Sequence, residues 1–337
     1  MIKDAIKKVV ENLDLSVDEA SSVMGEIMGG EATPSQISSL ITALRMKGET
    51  SDEVTGFASK MREHSVKINV KFGNLIDTCG TGGDFSGTFN VSTVSAIVAA
   101  AAGAIVAKHG NRSASSKCGS ADILEAMGVK IDLPPEKVKR SIEEIGIGFI
   151  FAPNFHPAMK YAGPSRKEIG IRTIFNILGP LTNPAGAKYQ LLGVFNENLT
   201  ELMARVVQNL GSTEVMVAHG MDGLDEMTVT NRTKISHLKN GNIKNYFIEP
   251  KDFGMNRYAK EELIGGTPNE NIKITHDILK GIEKTAKRDI VLLNTAAALV
   301  VGQVAKDMND GIAMAKVSID SGKAYKKLEE LIKFTNS

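Results

Sequence analysis

The stretch that decides the fold is residues 77–84, which read Asp77-Thr78-Cys79-Gly80-Thr81-Gly82-Gly83-Asp84. It follows a short apolar run, Leu75-Ile76, that is typical of the end of a strand, and an Ala- and Val-rich helix begins soon after, at Asn90-Val91-Ser92-Thr93. Glycine allows backbone angles closed to other residues and lets the main chain approach a ligand closely. A strand, a glycine-rich turn and a helix N-terminus together present converging N–H groups, which predicts a phosphate-binding turn.

The alternative is a tight turn that needs glycine for purely structural reasons. Two better-known phosphate motifs are excluded. The dinucleotide fingerprint requires a third glycine at position 85, where the chain has Phe85. No glycine lies five residues before a Gly-Lys-Ser/Thr sequence, so there is no P-loop. Asp84 would repel a phosphate unless a divalent cation or its waters lie between them.

The composition is that of an ordinary soluble protein. The 337 residues suggest two domains, or one large core with an appendage, and 42% are hydrophobic and 23% charged. A formal net charge of +1 gives no broad attraction to nucleic acid or membranes. The sequence has no apolar run long enough for a transmembrane helix, and Met1–Val10 contains no signal-peptide core. Cys79 and Cys118 lack metal-ligand spacing and fit a reducing compartment, so we expect a cytoplasmic location.

The first 65 residues contain only helical signals. In a capping box, a hydroxyl caps a free backbone N–H while an acidic or amide side chain three residues later reaches back. Three such boxes mark helix starts, at Ser16/Glu19, Thr33/Gln36 and Thr50/Glu53. Helix stops follow at Gly29-Gly30 and Gly48. We therefore predict a small helical domain whose apolar surface serves as a dimer contact or packs on the rest of the chain.

From about residue 70, strand and helix patterns alternate, which indicates a mainly parallel sheet covered on both faces. The predicted strands are Leu75–Thr78, Ala104–Lys108, Phe149–Phe151, Gln190–Phe195 and Glu214–Ala218. The predicted helices between them are Ser92–Ala102, Ala121–Met127, Glu136–Ile145 and Leu199–Leu210. Ligands of such sheets bind at the carboxyl ends of strands, where the glycine-rich turn, residues 109–112 and residues 219–222 all fall.

The later chain departs from this alternation. Residues 227–249 predict an antiparallel hairpin that starts at Met227-Thr228-Val229 and turns at Asn240-Gly241. The remainder is predicted to be helical, with helices at Asp289–Gly302, Ala305–Ser321 and Lys323–Phe334. The Pro-rich segment 153–188 is interpreted as a cleft-lining excursion that crosses back to the helical domain.

A second candidate phosphate site is residues 108–120, between a strand and a helix. The loop contains Lys and Arg side chains, hydroxyls and two glycines, and it has no acid. Such a loop can surround anionic oxygens with hydrogen bonds, although it can also be a solvated basic loop.

A third candidate is Asp222-Gly223-Leu224-Asp225-Glu226 at the end of a predicted parallel strand. Adjacent carboxylates repel each other, and a divalent cation such as magnesium, shared with substrate phosphates, relieves the repulsion. The alternative is a surface turn, because Asp-Gly is a common turn pair.

A fourth candidate is Arg166, considered together with His156, Asn111 and His109. An arginine in an otherwise apolar segment can pair bidentately with a carboxylate, although for Arg166 taken alone a structural salt bridge is the favoured explanation. No Ser–His–Asp spacing, nucleophile elbow or Cys–His pairing is present.

Taken together, these stretches resemble the anthranilate phosphoribosyltransferase family over essentially the full length and in order. The matching motifs are Asp77–Asp84, Asn90–Thr93, Lys108–Arg112, Gly119–Glu125, Arg166 to Glu168, Arg172-Thr173, Phe175 to Pro184, His219 to Glu226 and Leu292 to Asn294. The resemblance implies an α/β fold with a small all-helical domain and a larger domain around a mainly parallel central sheet, as in nucleoside phosphorylases and phosphoribosyltransferases. The implied domains are residues 1–70, completed by about 167–188, and residues 71–166 with 189–337.

The resemblance also implies a reaction in tryptophan biosynthesis. Anthranilate and 5-phospho-α-D-ribose 1-diphosphate give N-(5-phosphoribosyl)anthranilate and diphosphate, with Mg²⁺, two ions per subunit, as cofactor, and with a homodimer formed through the helical domain. Ser92, Asp225 and Glu226 would bind the metal, and Gly80, Asn111 and Arg166 would bind anthranilate. The phosphoribosyl diphosphate would contact Gly80, Gly83, Asp84, Thr88, Asn90, Val91, Ser92, Thr93, Lys108, His109, Gly110, Asn111, Arg112, Ser113, Ala114, Ser115, Ser116 and Ser120. No single catalytic acid or base is implied.

Two alternatives remain at this point. A pyrimidine-nucleoside phosphorylase resembles this architecture, but residues 108–112 and the Asp225-Glu226 pair favour the transferase. A non-catalytic nucleic-acid-binding relative of the same fold is disfavoured by the near-neutral charge.

Overall fold

The structure is a computed structural model that describes residues 1–84, 86–113 and 118–337. Short 3₁₀ segments lie at Pro157–Lys160, Gly179–Leu181, Pro250–Phe253 and Lys260–Leu263. The strands are β1 (Leu75–Gly80), β2 (Ile105–Gly110), β3 (Ile147–Phe151), β4 (Tyr189–Gly193), β5 (Glu214–Gly220), β6 (Thr233–Lys239) and β7 (Asn242–Ile248). The helices are α1 (Ile2–Val10), α2 (Val17–Gly29), α3 (Pro34–Lys47), α4 (Ser51–Glu63), α5 (Val91–Ala101), α6 (Ser120–Ala126), α7 (Pro135–Ile145), α8 (Ala152–Phe155), α9 (Gly163–Ile169), α10 (Phe175–Leu178), α11 (Leu199–Asn209), α12 (Pro268–Leu279), α13 (Ala286–Val301), α14 (Met308–Asp320) and α15 (Lys323–Asn336).

The N-terminal helices begin where the capping boxes predict. In α2, α3 and α4 the cap hydroxyl accepts from the main-chain N–H three residues on, and that residue's side chain accepts from the cap N–H. Each box satisfies two backbone donors that a helix start would otherwise leave without a partner. The buried Glu53 also accepts from the main chain of Leu15 at 3.0 Å and from the ammonium of Lys47 at 3.0 Å. The box of α4 therefore also joins it to the segment between α1 and α2.

One mixed sheet organises the rest of the chain, in the order β3-β2-β1-β4-β5-β6-β7. Strands β1 to β5 are mutually parallel, and β6 and β7 add an antiparallel edge. Because side chains alternate along a strand, Leu191 packs in one core with α5 and α13, and Leu192 packs in another with α11. The strand order reverses between β1 and β4, and the crevice beyond their carboxyl ends is the expected ligand site of such a sheet.

The segment from residue 157 to residue 181 packs with the N-terminal helices. Ala162, Phe175 and Leu181 share a buried cluster with residues of α1 to α4, and the Ser165 hydroxyl donates to the Pro34 carbonyl at 3.2 Å. The predicted α/β fold with an additional helical domain is confirmed. The domain boundaries stay a prediction.

The hairpin starts later than the sequence suggests. Its turn lies at Asn240-Gly241 as predicted, where both residues have positive φ. Residues 227–229 are not part of the strand, because the Asn294 side chain binds both main-chain polar groups of Met227, at 3.0 and 2.8 Å. The predicted helix 305–321 begins at Met308, because the Asp307 side chain caps it. In the part of the chain that the structure describes, no helix is long and apolar enough to cross a membrane.

Candidate active site

The glycine-rich turn, residues 77–84, lies at the carboxyl ends of β1 and β4. It contacts residues 222–226, the acidic segment. Gly80 and Gly193 are partners in the parallel register of these strands, and Asp225 lies across both of them. A Cβ on Gly80 would lie 2.5 Å from Oδ2 of Asp225, and a Cβ on Gly193 would lie 1.6 Å from its carbonyl oxygen. The N–H of Gly82 donates to Oδ2 of Asp225 at 2.7 Å. Both strands must therefore end in glycine for the acidic segment to approach the turn.

Three carboxyl groups meet at this point. Burial, followed by the charge of Asp84, raises the pKa of Asp225 to about 7. Burial and the charge of Asp225 raise the pKa of Glu226 well above its usual range. Both groups are half-buried, and their ionised forms repel each other. The remaining acid of the segment, Asp222, accepts from the Thr228 hydroxyl at 2.7 Å and from the Thr230 hydroxyl, and this arrangement stabilises the turn before the acidic pair.

The N-terminus of α5 faces the acidic pair. The N–H of Ser92 donates to Oε1 of Glu226 at 3.1 Å, so a carboxylate lies at the positive end of the helix. The side chain of Asn90, the N-cap residue, does not cap this helix start. Asn90 instead donates to the Cys118 carbonyl at 2.9 Å, and its side-chain oxygen is buried without a partner within the described residues. The first turn of α5 therefore offers polar groups to a further ligand.

Lys108 is a cation beside this helix start. Its side chain is buried, and its ammonium donates to the Thr78 carbonyl and lies 3.5 Å from the Ser92 hydroxyl oxygen. Lys108 also lowers the pKa values of Asp77 and Glu226, against the larger effect of burial. A buried ammonium among carboxylates and a helix N-terminus can neutralise charge on a bound phosphate.

Asp77 joins β1 to β2 beneath the site. Its carboxylate is fully buried, and it accepts from the His109 N–H at 3.1 Å and from the Asn183 side chain at 2.9 Å. Asn183 also donates to the Ala107 carbonyl at 2.8 Å. These bonds fix the end of β2, from which His109 and the following loop extend.

Replacing Asp77 with Asn is expected to change how stability depends on pH. Burial raises the pKa of Asp77 to about 6 in the folded protein, above its unfolded value. The stability that this carboxyl contributes is therefore fully present below the unfolded pKa and is lost as pH rises through about 6. From pH 5 to pH 7, the Asp77→Asn protein should gain about 1 kcal/mol in free energy of unfolding relative to wild type. Urea unfolding at both pH values measures this, with the exposed Asp18→Asn as control. An identical pH dependence in wild type and Asp77→Asn would contradict the interpretation.

Two neutral histidines lie side by side next to this network. The ring centroids of His109 and His156 are 5.2 Å apart. Burial lowers the pKa of His109 to about 3 and that of His156 to about 4. The Nε2 atoms of both rings are buried without a hydrogen-bond partner within the described ranges. They are therefore available to an uncharged polar group of a ligand.

Arg166 has no acidic partner among the described residues. Its guanidinium lies 5.0 Å from the ring centre of Phe175, and burial lowers its pKa. The structural salt bridge that the sequence left open is absent from the part of the chain that the structure describes. A half-buried arginine that stacks on an aromatic ring and makes no ion pair is suited to a ligand carboxylate.

Arg172 connects the helical domain to the glycine-rich turn. Its guanidinium donates to the Gly83 carbonyl at 3.1 Å and lies 4.5 Å from the ring centre of Phe195. The N–H of Phe195 donates in turn to the Thr81 hydroxyl at 3.2 Å. The turn is thereby held from the side of the helical domain as well as by Asp225.

Arg112 forms ion pairs with the helix that follows its loop. Its guanidinium pairs with Glu125 at 2.7 and 3.1 Å and with Asp122 at 3.0 Å, both on α6, and it is exposed. The 108–120 stretch has no acid of its own, but the helix after it supplies two. Exposed ion pairs contribute about 0–1 kcal/mol each, so a phosphate can compete for this arginine.

The other predicted loop residues lie around α6. Asp122 accepts from the main-chain N–H groups of Ser113 and Gly119, and Ser120 donates to the Asn111 carbonyl at 3.2 Å. A Cβ at Gly110 would meet Ser120 at 2.3 Å. Ala114, Ser115 and Ser116 lie outside the described residues.

Some predicted residues lie at the edge of the site. The side chain of Val91 packs in the core, so only its main chain faces the turn, and the Thr93 side chain is buried. Thr88 pairs with Ile264 in an isolated bridge, and its hydroxyl lies 3.1 Å from that of Ser86. In the described ranges, no hydrogen bond or ion pair joins Arg166 to Asn111 or Gly80. The structure therefore brings together Gly80, Asp84, Ser92, Lys108, Asp225 and Glu226.

The donor set fits a magnesium ion that is shared with a ligand. Among the described residues, no group of three or more His, Cys, Asp or Glu side chains is placed to hold a metal by itself. Magnesium usually binds proteins through one or two carboxylates, while waters and substrate phosphates complete its octahedron. The mutual repulsion of Asp225 and Glu226 is the kind of strain that a cation relieves.

Comparisons with known proteins find family matches in both parts of the chain. The profile described as "Glycosyl transferase family, helical bundle domain" matches residues 3–65, and "Glycosyl transferase family, a/b domain" matches residues 72–325. The fold and these two matches define a glycosyltransferase with a helical bundle domain and an α/β domain.

The sequence relatives narrow the class. Anthranilate phosphoribosyltransferase of Acetivibrio thermocellus is 57% identical over 337 residues, which cover 100% of this chain and 97% of the relative. That of Alkaliphilus metalliredigens is 53% identical over 335 residues, 99% of this chain and 98% of the relative. The chain belongs to the anthranilate phosphoribosyltransferase family, and the predicted family and enzyme class are confirmed.

Solved structures give the same result. The crystal structure of anthranilate phosphoribosyltransferase from Thermus thermophilus superposes with a TM-score of 0.93 at 42% identity, covering 99% of this chain and 100% of that one. The Saccharomyces cerevisiae enzyme in complex with PRPP and Mg has a TM-score of 0.92 at 27% identity, covering 99% and 98%.

Proposed function

We propose that this chain transfers the 5-phosphoribosyl group from 5-phospho-α-D-ribose 1-diphosphate to the amine of anthranilate, which releases diphosphate. The observation that carries this proposal is the acidic pair Asp225-Glu226, which lies against the glycine-rich turn, the N-terminus of α5 and Lys108. Carboxylates beside three anion-binding features are expected where a metal–diphosphate complex binds. Consumption of anthranilate, followed by its fluorescence in the presence of the sugar diphosphate and magnesium, tests the reaction.

The donor half of the site consists of groups that offset negative charge. The positive end of α5, the main chain of Gly82-Gly83 and the ammonium of Lys108 bind the diphosphate and ribose end. As the bond from the anomeric carbon to diphosphate breaks, negative charge grows on the leaving group. Donors that are already fixed in place stabilise that charge without reorganising.

Ser92, Asp225 and Glu226 are the proposed magnesium ligands, with Asp84 close to Asp225. Magnesium bound there neutralises charge on the diphosphate and makes it a better leaving group. Two ions per subunit are proposed, because Asp84 and Glu226 flank Asp225 on different elements and provide more carboxylate oxygens than one ion shared with phosphates requires.

The acceptor half lies towards the helical domain. Arg166 pairs with the carboxylate of anthranilate, while Gly80, Asn111 and the neutral rings of His109 and His156 surround it. The amine of anthranilate is already nucleophilic, so no enzyme nucleophile is needed. Holding the amine in line with the anomeric carbon supplies much of the acceleration, which accounts for the absence of an acid–base dyad among the assigned residues.

Replacing Arg166 with Ala is expected to raise the KM for anthranilate about 10- to 100-fold and to leave the KM for the sugar diphosphate nearly unchanged. The reason is the loss of one charge-assisted pair, which contributes about 1.5–3 kcal/mol. Steady-state kinetics with each substrate varied in turn measures the effect. Arg205→Ala, on the exposed face of α11, is the control. An unchanged KM for anthranilate would remove Arg166 from the acceptor site.

We propose in addition a cytoplasmic homodimer formed through the helical domain. Met46, Leu13 and Val10 expose 83%, 54% and 61% of their surface on this domain, which supports an apolar contact. Sedimentation of wild type and Met46→Glu tests it, since a monomeric variant is expected. The alternative phosphorylase activity has no supporting observation here, and robust cleavage of uridine by phosphate would overturn the proposed reaction.

A further inference from the structure

A cavity of about 250 Å³ lies at the opposite end of the sheet from the proposed active site. The start of β4 and the connection from α11 to β5 line it on one side, and the end of α4 lines it on the other. From Tyr189 to Gly193, β4 spans roughly 13 Å at the rise of a strand. A ligand in this cavity is therefore distinct from one at the glycine-rich turn.

The cavity is cationic. Arg62, Lys67 and Lys188 line it, and no acidic residue does so among the described residues. Arg62 is half-buried, and its guanidinium donates to the carbonyls of Leu181 and Leu210, at 2.6 and 3.2 Å. Its five donors are thus only partly used, and it forms no ion pair within the described ranges.

The other cationic and hydroxyl groups that line the cavity also lack an anionic partner among the described residues. Partial burial and the charge of Arg62 lower the pKa of Lys67. The Lys67 ammonium donates to the Arg62 carbonyl and to the Ser65 hydroxyl, which are both neutral acceptors. The Lys188 ammonium and the Ser212 hydroxyl have no hydrogen-bond partner in the described part of the chain. The half-buried charge of Arg62 is costly unless an anion pairs with it.

We propose that this cavity binds a tetrahedral oxyanion of the phosphate class. An arginine fork, two ammonium groups and a hydroxyl are the donors that such an anion takes. The anion would bridge Arg62 and Lys67, at the end of the helical domain, to Lys188 and Ser212, which precede β4 and β5, and so fasten the two domains together. Asn183 also lines the cavity, and it is the residue that holds Asp77 beneath the active site.

The test is equilibrium dialysis of the full chain against radiolabelled inorganic phosphate. The cavity variant is Lys67→Met with Lys188→Met, both exposed positions outside the proposed catalytic machinery, and the matched control is Lys71→Met with Lys130→Met. Wild type and control should bind one phosphate per chain more than the cavity variant, and phosphate should raise their melting temperatures by more. Circular dichroism confirms that all three proteins are folded.

Competition identifies the source of the anion. If sulfate displaces the labelled phosphate, the site binds free tetrahedral oxyanions. If diphosphate displaces it and sulfate does not, the site binds the reaction product. Both results lie within the phosphate class. Equal phosphate stoichiometry in wild type and the cavity variant would overturn the proposal. The transferase assay is separate, so a failure of the proposed reaction would leave the dialysis result intact. Without phosphate, the kcat of the cavity variant should equal that of wild type.

Discussion

Replacing Asp225 with Asn and Glu226 with Gln together is expected to lower magnesium-dependent turnover by at least about 10³-fold while the protein stays folded. The amides remove the negative charge that a cation requires. Their oxygens can still accept from the Gly82 and Ser92 N–H groups, which now lie at 2.7 and 3.1 Å. The melting temperature without magnesium should not fall, because the substitution also removes the repulsion between two half-buried carboxylates.

The matched control is Asp222→Asn in the same segment. Asp222 accepts from two threonine hydroxyls and has no hydrogen bond with Asp225 or Glu226 among the described residues. This variant should lose some stability and keep its dependence on magnesium. Steady-state turnover as a function of magnesium concentration, together with a thermal melt of each variant, separates the two cases. Full activity in the double variant would remove Asp225 and Glu226 from the metal site.

The second large effect is expected at a residue with no chemistry of its own. Gly193→Ala should lower turnover about 100-fold, because the added Cβ would lie 1.6 Å from the Asp225 carbonyl oxygen. The contact is with the main chain, so no side-chain rotation relieves it, and the acidic segment must move. A misplacement of about 1 Å can cost about 10² in rate, and overpacking costs about 1–3 kcal/mol of stability.

Gly73→Ala is the control for this substitution. A Cβ at Gly73 would meet no heavy atom within 4 Å, so turnover and the free energy of unfolding should stay close to wild type. The Gly193→Ala protein should also need more magnesium for half-maximal turnover. If Gly193→Ala were as active as Gly73→Ala at every magnesium concentration, Asp225 would not be held by its contact with β4.

The sequence is most informative where local chemistry decides the structure. Each capping box places both halves of a reciprocal hydrogen bond within four residues, so α2, α3 and α4 start as predicted. The strand and helix alternation depends on apolar patterns that a parallel sheet imposes, and the five parallel strands lie within a few residues of their predicted bounds. The pair Asn240-Gly241 specifies its own turn for the same reason.

What the sequence misses depends on contacts between distant segments. The sequence does not show that Gly193 contacts Asp225. That contact depends on the strand register, which pairs Gly193 with Gly80. Arg112 pairs with acids from the following helix, which the loop's own composition does not contain. Asn294 binds Met227 across 67 positions, so residues 227–229 do not extend the hairpin. The sequence cannot show whether Arg166 forms an ion pair, because only the packed structure reveals that it has no acidic partner among the described residues.

The measurement that tests the central claim most directly is a transferase assay on the purified wild-type chain. Anthranilate fluorescence is followed with 5-phospho-α-D-ribose 1-diphosphate and magnesium present. It is then followed with the sugar diphosphate omitted and with magnesium omitted. The predicted result is a loss of fluorescence with release of one diphosphate per anthranilate, and no reaction in any omission. Stable fluorescence in the complete mixture, or turnover that persists after magnesium is chelated, would contradict the assignment of this site to metal-assisted phosphoribosyl transfer.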